Sequence, residues 1–160
     1  MPCPPRGWLP LEDLRPGGSV FTRVKDMMQA KIDALCAGDL VEAVSFCDFP
    51  MTVWLAEREL RFVRPSDMIG FLQDVQQLRH SAGITSSEAE ILSIEIPRRG
   101  LFRVWVRWLH KDAAGALLDH ADMIYHCRES RKRLRVEAAE VLKFSLPGVA
   151  GIPVPRRQII

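Results

Sequence analysis

From Ser19 onward, apolar residues recur at helical spacing. Val20, Val24, Met27, Met28, Ile32 and Leu35 form one stripe, and Gly38 supplies a stop. Asp39 with Glu42 three residues later makes a capping box, which opens a short second helix through Leu40, Val41, Val44 and Cys47 that ends before Pro50. Residues 51–56 and 60–64 read as a small hairpin, the second run alternating polar and apolar. Ser66 after Pro65 predicts the N-cap of a third helix, with the stripe Met68, Ile69, Leu72, Val75 and Leu78 running to Gly83. All later runs predict strand: 87–97, 101–111, 116–128 and 133–143.

The turns set the expected pairing. Arg98-Arg99-Gly100 predicts a three-residue hairpin with Pro97 opposite Leu101. The turn at 112–115 places Lys111 opposite Ala116, and the turn at 129–132 places Arg128 opposite Arg133. Carrying these registers along the strands sorts the side chains into two faces, because a slip of one residue would exchange them. One face collects Leu92, Ile94, Ile96, Phe102, Val104, Val106, Trp108, Ala121, Met123, Tyr125, Cys127, Leu134, Val136 and Ala138. The other is mixed: Glu95 opposite Arg103, Arg107 opposite His120, Trp105 opposite Asp122, and Arg135 opposite His126. An apolar face toward helices and a mixed outer face predict an α+β fold, three N-terminal helical segments packed on a strongly curved, mainly antiparallel sheet.

Length and composition narrow the class. A chain of 160 residues, 48% hydrophobic, suits one core, spanning 19–146. Residues 1–18 hold five of the eleven prolines and a Gly-Gly pair, which predicts a flexible leader, and 147–160 read as a tail. The start lacks the basic and apolar regions of a signal peptide, so cytoplasmic residence is expected, and no apolar run approaches the roughly 18 residues of a membrane span. Cys3, Cys36, Cys47 and Cys127 show no CxxC spacing and are expected to be reduced. Net charge is +2, and the single basic cluster, 128–135, falls at a turn without interleaved aromatics, so no nucleic-acid partner is expected.

His120, Asp122 and His126 share one parity and resemble a metal site. Strand residues rise roughly 3.3 Å each, which separates the two histidines by about 20 Å, far too much for one ion. No metal and no cofactor are therefore expected. The outer residues Trp105, Leu109, Leu118, Ile124 and Val141 form an apolar stripe, which predicts a homodimer through Trp105, Leu109 and Ile124. On the inner face the expected registers bring Trp108 opposite Asp119, Glu90 opposite Trp108, and Glu140 diagonal to Asp119, with His110 two residues beyond. A carboxylate beside an indole loses solvation and becomes a better base at neutral pH. Asp119 or Glu140 as general base with His110 as acid is the catalytic expectation; the bland alternative is a splayed sheet end where these groups simply reach water. Trp108, Glu90, Trp54, Tyr125, Phe71 and Met28 are the expected ligand contacts, each of them core filling on the other reading.

The helix end AGDLVEAVSF, the strand FPMTVWL, the helix SDMIGFLQDV, the strand FRVWVRW and the hairpin ADMIYHCRESRKRLRVEAAEV, together spanning 20–143, resemble the nuclear transport factor 2-like superfamily. That superfamily includes ketosteroid isomerases, scytalone dehydratase and SnoaL-like polyketide cyclases. The resemblance implies a cone of bent sheet around an internal cavity. It also implies binding of a small, largely apolar molecule there, with or without lyase-, isomerase- or cyclase-type acid–base chemistry. The alternative is a non-catalytic dimeric interaction module of the same fold. The isomerases keep a catalytic Asp on the first strand after the second helix, where this chain reads Val53-Trp54-Leu55. They also keep a tyrosine in helix one, where Met27 and Met28 stand; the single tyrosine is Tyr125. Both departures argue against a ketosteroid isomerase.

Overall fold

The computed structural model describes residues 18–131, 133–144 and 146. Helix α1 (Ser19–Ala37) leads into α2 (Leu40–Ser45). Strand β1 (Cys47–Trp54) and strand β2 (Glu59–Phe62) follow, then helix α3 (Pro65–Ser81). Four further strands follow among the described residues: β3 (Ser86–Ile94), β4 (Leu101–Lys111), β5 (Leu117–Ser130) and β6 (Arg133–Lys143). They form one open, curved sheet of six strands in the order β2-β1-β6-β5-β4-β3, antiparallel except where β1 runs parallel to β6. Three helices on one mixed sheet make this an α+β fold.

The helix boundaries follow from local chemistry. The α1 stripe is buried from Val20 to Leu35, and Gly38 ends the helix at φ 80°, where its own N–H and that of Asp39 are donated to carbonyls of the last turn. Asp39 caps α2 by accepting the Glu42 N–H at 3.1 Å. The start of α3 differs from the expectation at Ser66. Pro65 takes the first helical position, so the cap moves to Arg64, whose N–H is accepted by the Asp67 carboxylate at 3.2 Å. Cys47 belongs to β1 rather than to the second helix.

The two edges of the sheet are treated differently. At β3, Gln29 of α1 donates to the Ser87 carbonyl and accepts from the Ala89 N–H, both at 2.9 Å, so a side chain completes the ladder that an edge strand leaves open. At the β1–β6 joint, Arg135 donates to the Asp48 carboxylate at 2.9 Å, to the Cys47 carbonyl at 2.7 Å and to the Ser45 carbonyl. The end of the helical segment is thereby tied to a strand almost ninety positions later in sequence.

The registers depart from the expected ones, and the departures rearrange the faces. Near its hairpin, β3 pairs as expected, Ile94 with Val104, but Leu92 is an extra residue. Beyond it Ala89, not Glu90, lies opposite Trp108, and Glu90 faces outward beside Arg107. Strands β4 and β5 keep the expected parity but slide by two residues, which puts Ala121 opposite Trp108 and Asp119 opposite His110. In β6, Arg135 lies opposite Arg128, and Glu137 is an extra residue. Past it Ala139 and Val141 turn inward while Ala138 and Glu140 turn outward, the reverse of the expected arrangement. Each extra residue bends its strand, so the same bulges that curve the sheet exchange its faces.

The core between helices and sheet contains Met28, Val104, Val106, Val136 and Phe62, all fully buried. On the outer face Arg107 and Asp122 form a two-point ion pair at 2.9 and 3.2 Å, and Arg103 pairs with Glu95 at 2.7 Å while covering the Trp105 ring. Of the outer apolar stripe, Ile124 is buried within the chain, Trp105 and Leu109 are half-buried, and Val141 lies on the other side. Cys36, Cys47 and Cys127 are free thiols, and burial pushes the Cys127 thiol up to about 12. Cys3, most of the leader and residues 147–160 lie outside the described residues. No helix is long and apolar enough to cross a membrane among the described residues.

Candidate functional site

Curving the sheet over α1 and α3 leaves a partly open cavity of about 170 Å³. Its wall is overwhelmingly apolar. Phe71 and Leu72 come from α3, Met51 and Val53 from β1, and Ala139 and Val141 from β6 on the segment the Glu137 bulge turns inward. Four polar side chains interrupt this wall: Lys31 of α1, Arg79 of α3, His110 of β4 and Tyr125 of β5. The indole of Trp108 also lines it, and its Nε1 donates to the Tyr125 hydroxyl at 2.9 Å, the two rings standing edge to face at 6.1 Å. Tyr125 donates in turn to Met123 Sδ at 3.2 Å.

Helical periodicity explains the two cations. Lys31 lies three residues after Met28 and four before Leu35, and Arg79 extends the run Met68, Leu72, Val75 by one more turn. Each is a charged residue set into an apolar stripe, a signal visible in the sequence, although neither is among the expected site residues. Lys31 is half-buried and lines the cavity. Its Nζ stands 4.8 Å from the centre of the Tyr125 ring, a cation–π contact. No hydrogen bond or ion pair reaches that ammonium among the described residues.

Arg79 is only 5% exposed, and its partners among the described residues are a serine, a cysteine and a histidine. It donates to Ser87 Oγ at 2.7 Å and to Cys36 Sγ at 3.2 Å, and lies 3.3 Å from His110 Nδ1. Ser87 Oγ is 2.7 Å from the same Nδ1. Because the serine oxygen accepts from the guanidinium, its hydrogen goes to Nδ1, which leaves the His110 proton on Nε2. Burial, and then the Arg79 charge, lower His110 to about 4, against the weaker opposite pull of Asp119. At neutral pH this imidazole is uncharged.

Lys31 titrates above the ordinary lysine value. Burial opposes its charge, and the anions that Cys47, Tyr125 and Cys127 become at high pH outweigh that burial. At pH 7 Cys127 is a neutral thiol, and burial raises the Tyr125 hydroxyl so that it too is neutral. Neither group brings negative charge to the cavity at that pH. Among the described residues the wall thus holds two cations, a neutral imidazole and a phenol, and no carboxylate. Such a set donates hydrogen bonds and stabilises negative charge.

The residues expected from the sequence divide accordingly. Trp108, Tyr125, Phe71 and His110 line the cavity. Met28 is fully buried in the core beside it, outside its lining. Trp54 stands on the outer face, 39% exposed, its ring 5.7 Å from that of His126. Glu140 joins the same outer cluster, with its carboxylate 3.0 Å from His126 Nε2, and Glu90 is exposed. Asp119 sits at the sheet end opposite His110, but its carboxylate turns out, accepting from the His120 N–H at 2.7 Å and from Lys143 Nζ at 3.3 Å. These contacts, the His120 N–H first, hold it below the ordinary aspartate value. The expected gathering of Asp119, Glu140, Glu90 and Trp108 at one mouth therefore does not form, because the bulges at Leu92 and Glu137 send both glutamates through to the other face.

A curved mixed sheet with three helices on its concave side is the architecture of nuclear transport factor 2-like proteins. Solved structures share it. One is an NTF2-like protein of unknown function from Shewanella oneidensis, 10% identical with a TM-score of 0.60 over 76% of this chain and 98% of that one. A domain of unknown function with a cystatin-like fold from Nostoc punctiforme is 12% identical, with a TM-score of 0.60 over 80% of each chain. Aln2 from a Streptomyces species is 11% identical, with a TM-score of 0.60 over 80% of this chain and 93% of that one. At such identities the likeness concerns the fold alone. The chain belongs to the family described as NTF2-like protein (DUF6841), whose model matches residues 23–142. No curated protein matches it.

Proposed function

We propose that the chain binds a small, largely apolar molecule in the cavity between its helices and the concave face of its sheet. The supporting observation is an apolar space of about 170 Å³ into which only a few polar side chains project, the usual composition of a ligand site. A protein cavity of about 150 Å³ takes up benzene, so the natural occupant is a single ring or a short branched chain. Catalysis is not needed to explain this arrangement. His110, lowered to about 4, is a weak base at neutral pH, and its Nδ1 is already engaged by Ser87.

Thermal unfolding in the presence of neutral monocyclic compounds of about ten non-hydrogen atoms tests the reading. Phenylacetamide and its relatives should raise Tm in a saturable way, with Kd on the order of 0.1–1 mM for ligands of this size. Val141→Trp, which extends a half-buried wall residue into the space, should fold normally and lose the response. Equal responses from the two proteins would place binding elsewhere and end the proposal.

A further inference from the structure

We propose that the molecule taken up is an acid in its ionised form: a monocyclic or short-chain carboxylate whose apolar body fills the cavity and whose anionic end meets Lys31. The inference rests on the cavity being a ligand site at all, and goes further by assigning the ligand's charge.

Three observations carry it. Lys31 and Arg79 both line one small apolar space, and among the described residues no Asp or Glu shares that wall. Buried cations are as a rule paired, because an ammonium or guanidinium taken out of water without a counter-charge costs several kcal/mol. Arg79 has its hydrogen-bonding needs partly met by the neutral Ser87, His110 and Cys36, which fix its plane but leave its charge standing. Lys31 has not even that, for its only close partner among the described residues is the Tyr125 ring face, which leaves its three N–H donors for something else.

The surroundings select the anion's size and number of charges. The remaining wall is aliphatic and aromatic: Phe71, Leu72, Met123, Val141 and their neighbours solvate a hydrocarbon body and cannot solvate a second charged group. Around 170 Å³, slightly more than the cavity of about 150 Å³ that takes up benzene, leaves room for one ring or a short chain with a small polar end. A phosphate ester or a nucleotide would bring more charge and more polar surface than this wall can satisfy. A monocarboxylate supplies one negative charge, accepts hydrogen bonds from Lys31, and reduces the repulsion between Lys31 and Arg79.

Matched pairs of probes test the charge separately from the cavity. The pairs are phenylacetate with phenylacetamide, and hexanoate with hexanamide, so that each carboxylate has a neutral partner of the same shape. Calorimetric titration at pH 7.5 into the full chain should show each carboxylate binding about ten- to a hundredfold more tightly than its amide, the worth of a charge-assisted hydrogen bond in a desolvated site. Lys31→Met, which keeps the volume and removes the charge, should abolish that preference while leaving the amides bound. Lys31→Gln gives the same comparison should the methionine variant fail to fold. Equal binding of acid and amide by the unaltered protein overturns the assignment of charge and leaves the cavity reading intact. A preference for the acids that survives both substitutions also overturns it, since the anion would then be held away from Lys31. Failure of all four probes to bind, or binding that Val141→Trp does not weaken, removes the cavity reading and the inference together.

Discussion

His110 shows how one side chain can carry a pH dependence for the whole molecule. Burial and the Arg79 charge lower it to about 4, so between pH 6.5 and about 4 the unfolded chain takes up a proton that the folded chain refuses. Stability is therefore complete above pH 6.5 and falls as the solution is acidified toward 4, by up to about 1.4 kcal/mol per pH unit. Urea unfolding measured between pH 4 and 7 should show this slope, and His110→Asn should flatten it; an unchanged slope in the variant would assign it to other groups. Lys31 presents a different situation: burial opposes its charge, and of the groups whose anions raise it, Tyr125 and Cys127 carry no charge at pH 7 to offset that burial. Replacing it with methionine should stabilise the ligand-free protein by about 1 kcal/mol, as removal of an uncompensated buried charge does. A loss of Tm in that variant would show that the ammonium has a structural partner.

At the scale of elements, the sheet's geometry rests on its turns and bulges. Gly100 closes the β3–β4 hairpin at φ 78°, and a Cβ built there would stand 2.4 Å from the Glu129 carbonyl, the group that receives neither slack nor an alternative path because the Glu129 N–H is donated back to the Gly100 carbonyl at 2.8 Å. Gly100→Ala combines an unfavourable backbone conformation with a collision against main chain and should cost about 2–4 kcal/mol by chemical denaturation. The same change at Gly115, also at positive φ but with open space around it, should cost about 1 kcal/mol. Equal losses at the two sites would mean that the contact with Glu129 carries no weight.

For the molecule as a whole, the apolar core between helices and sheet is supplemented by a polar tie where the helical segment enters β1. Arg135 bridges β6 to Asp48, Cys47 and Ser45, fixing the parallel strand β1 that supplies Met51 and Val53 to the cavity. Arg135→Met keeps the aliphatic stem and leaves two carbonyls and a carboxylate without their donor, which should lower stability by about 2–3 kcal/mol. Arg135→Lys should recover little, because one ammonium cannot reproduce a fork of donors. Full stability in the methionine variant would show that strand pairing alone holds β1 in place. The cavity depends on this joint, so both variants should also weaken binding of the probes.

Much of this architecture is written locally. The bounds of β4 and β6, the stop of α1 at Gly38 and the Asp39 cap follow from spacing, from glycine's access to positive φ and from a short side chain that can reach a nearby N–H, and all are present in the sequence as expected. Of the residues expected at the site, Trp108, His110 and Tyr125 line the cavity because β4 and β5 keep the parity that their apolar alternation dictates, and Phe71 lines it from α3. Glu90 and Glu140 do not, and nothing in their own neighbourhood announces it. A single extra residue at Leu92 or Glu137 inverts every side chain beyond it, and where that residue is inserted depends on how far the sheet must bend to cover α1 and α3. Alternation thus determined that this chain has an inner and an outer face. Only the packing of the curved sheet on its helices decided that Glu90 and Glu140 lie outside and that Lys31 and Arg79 both line an apolar cavity.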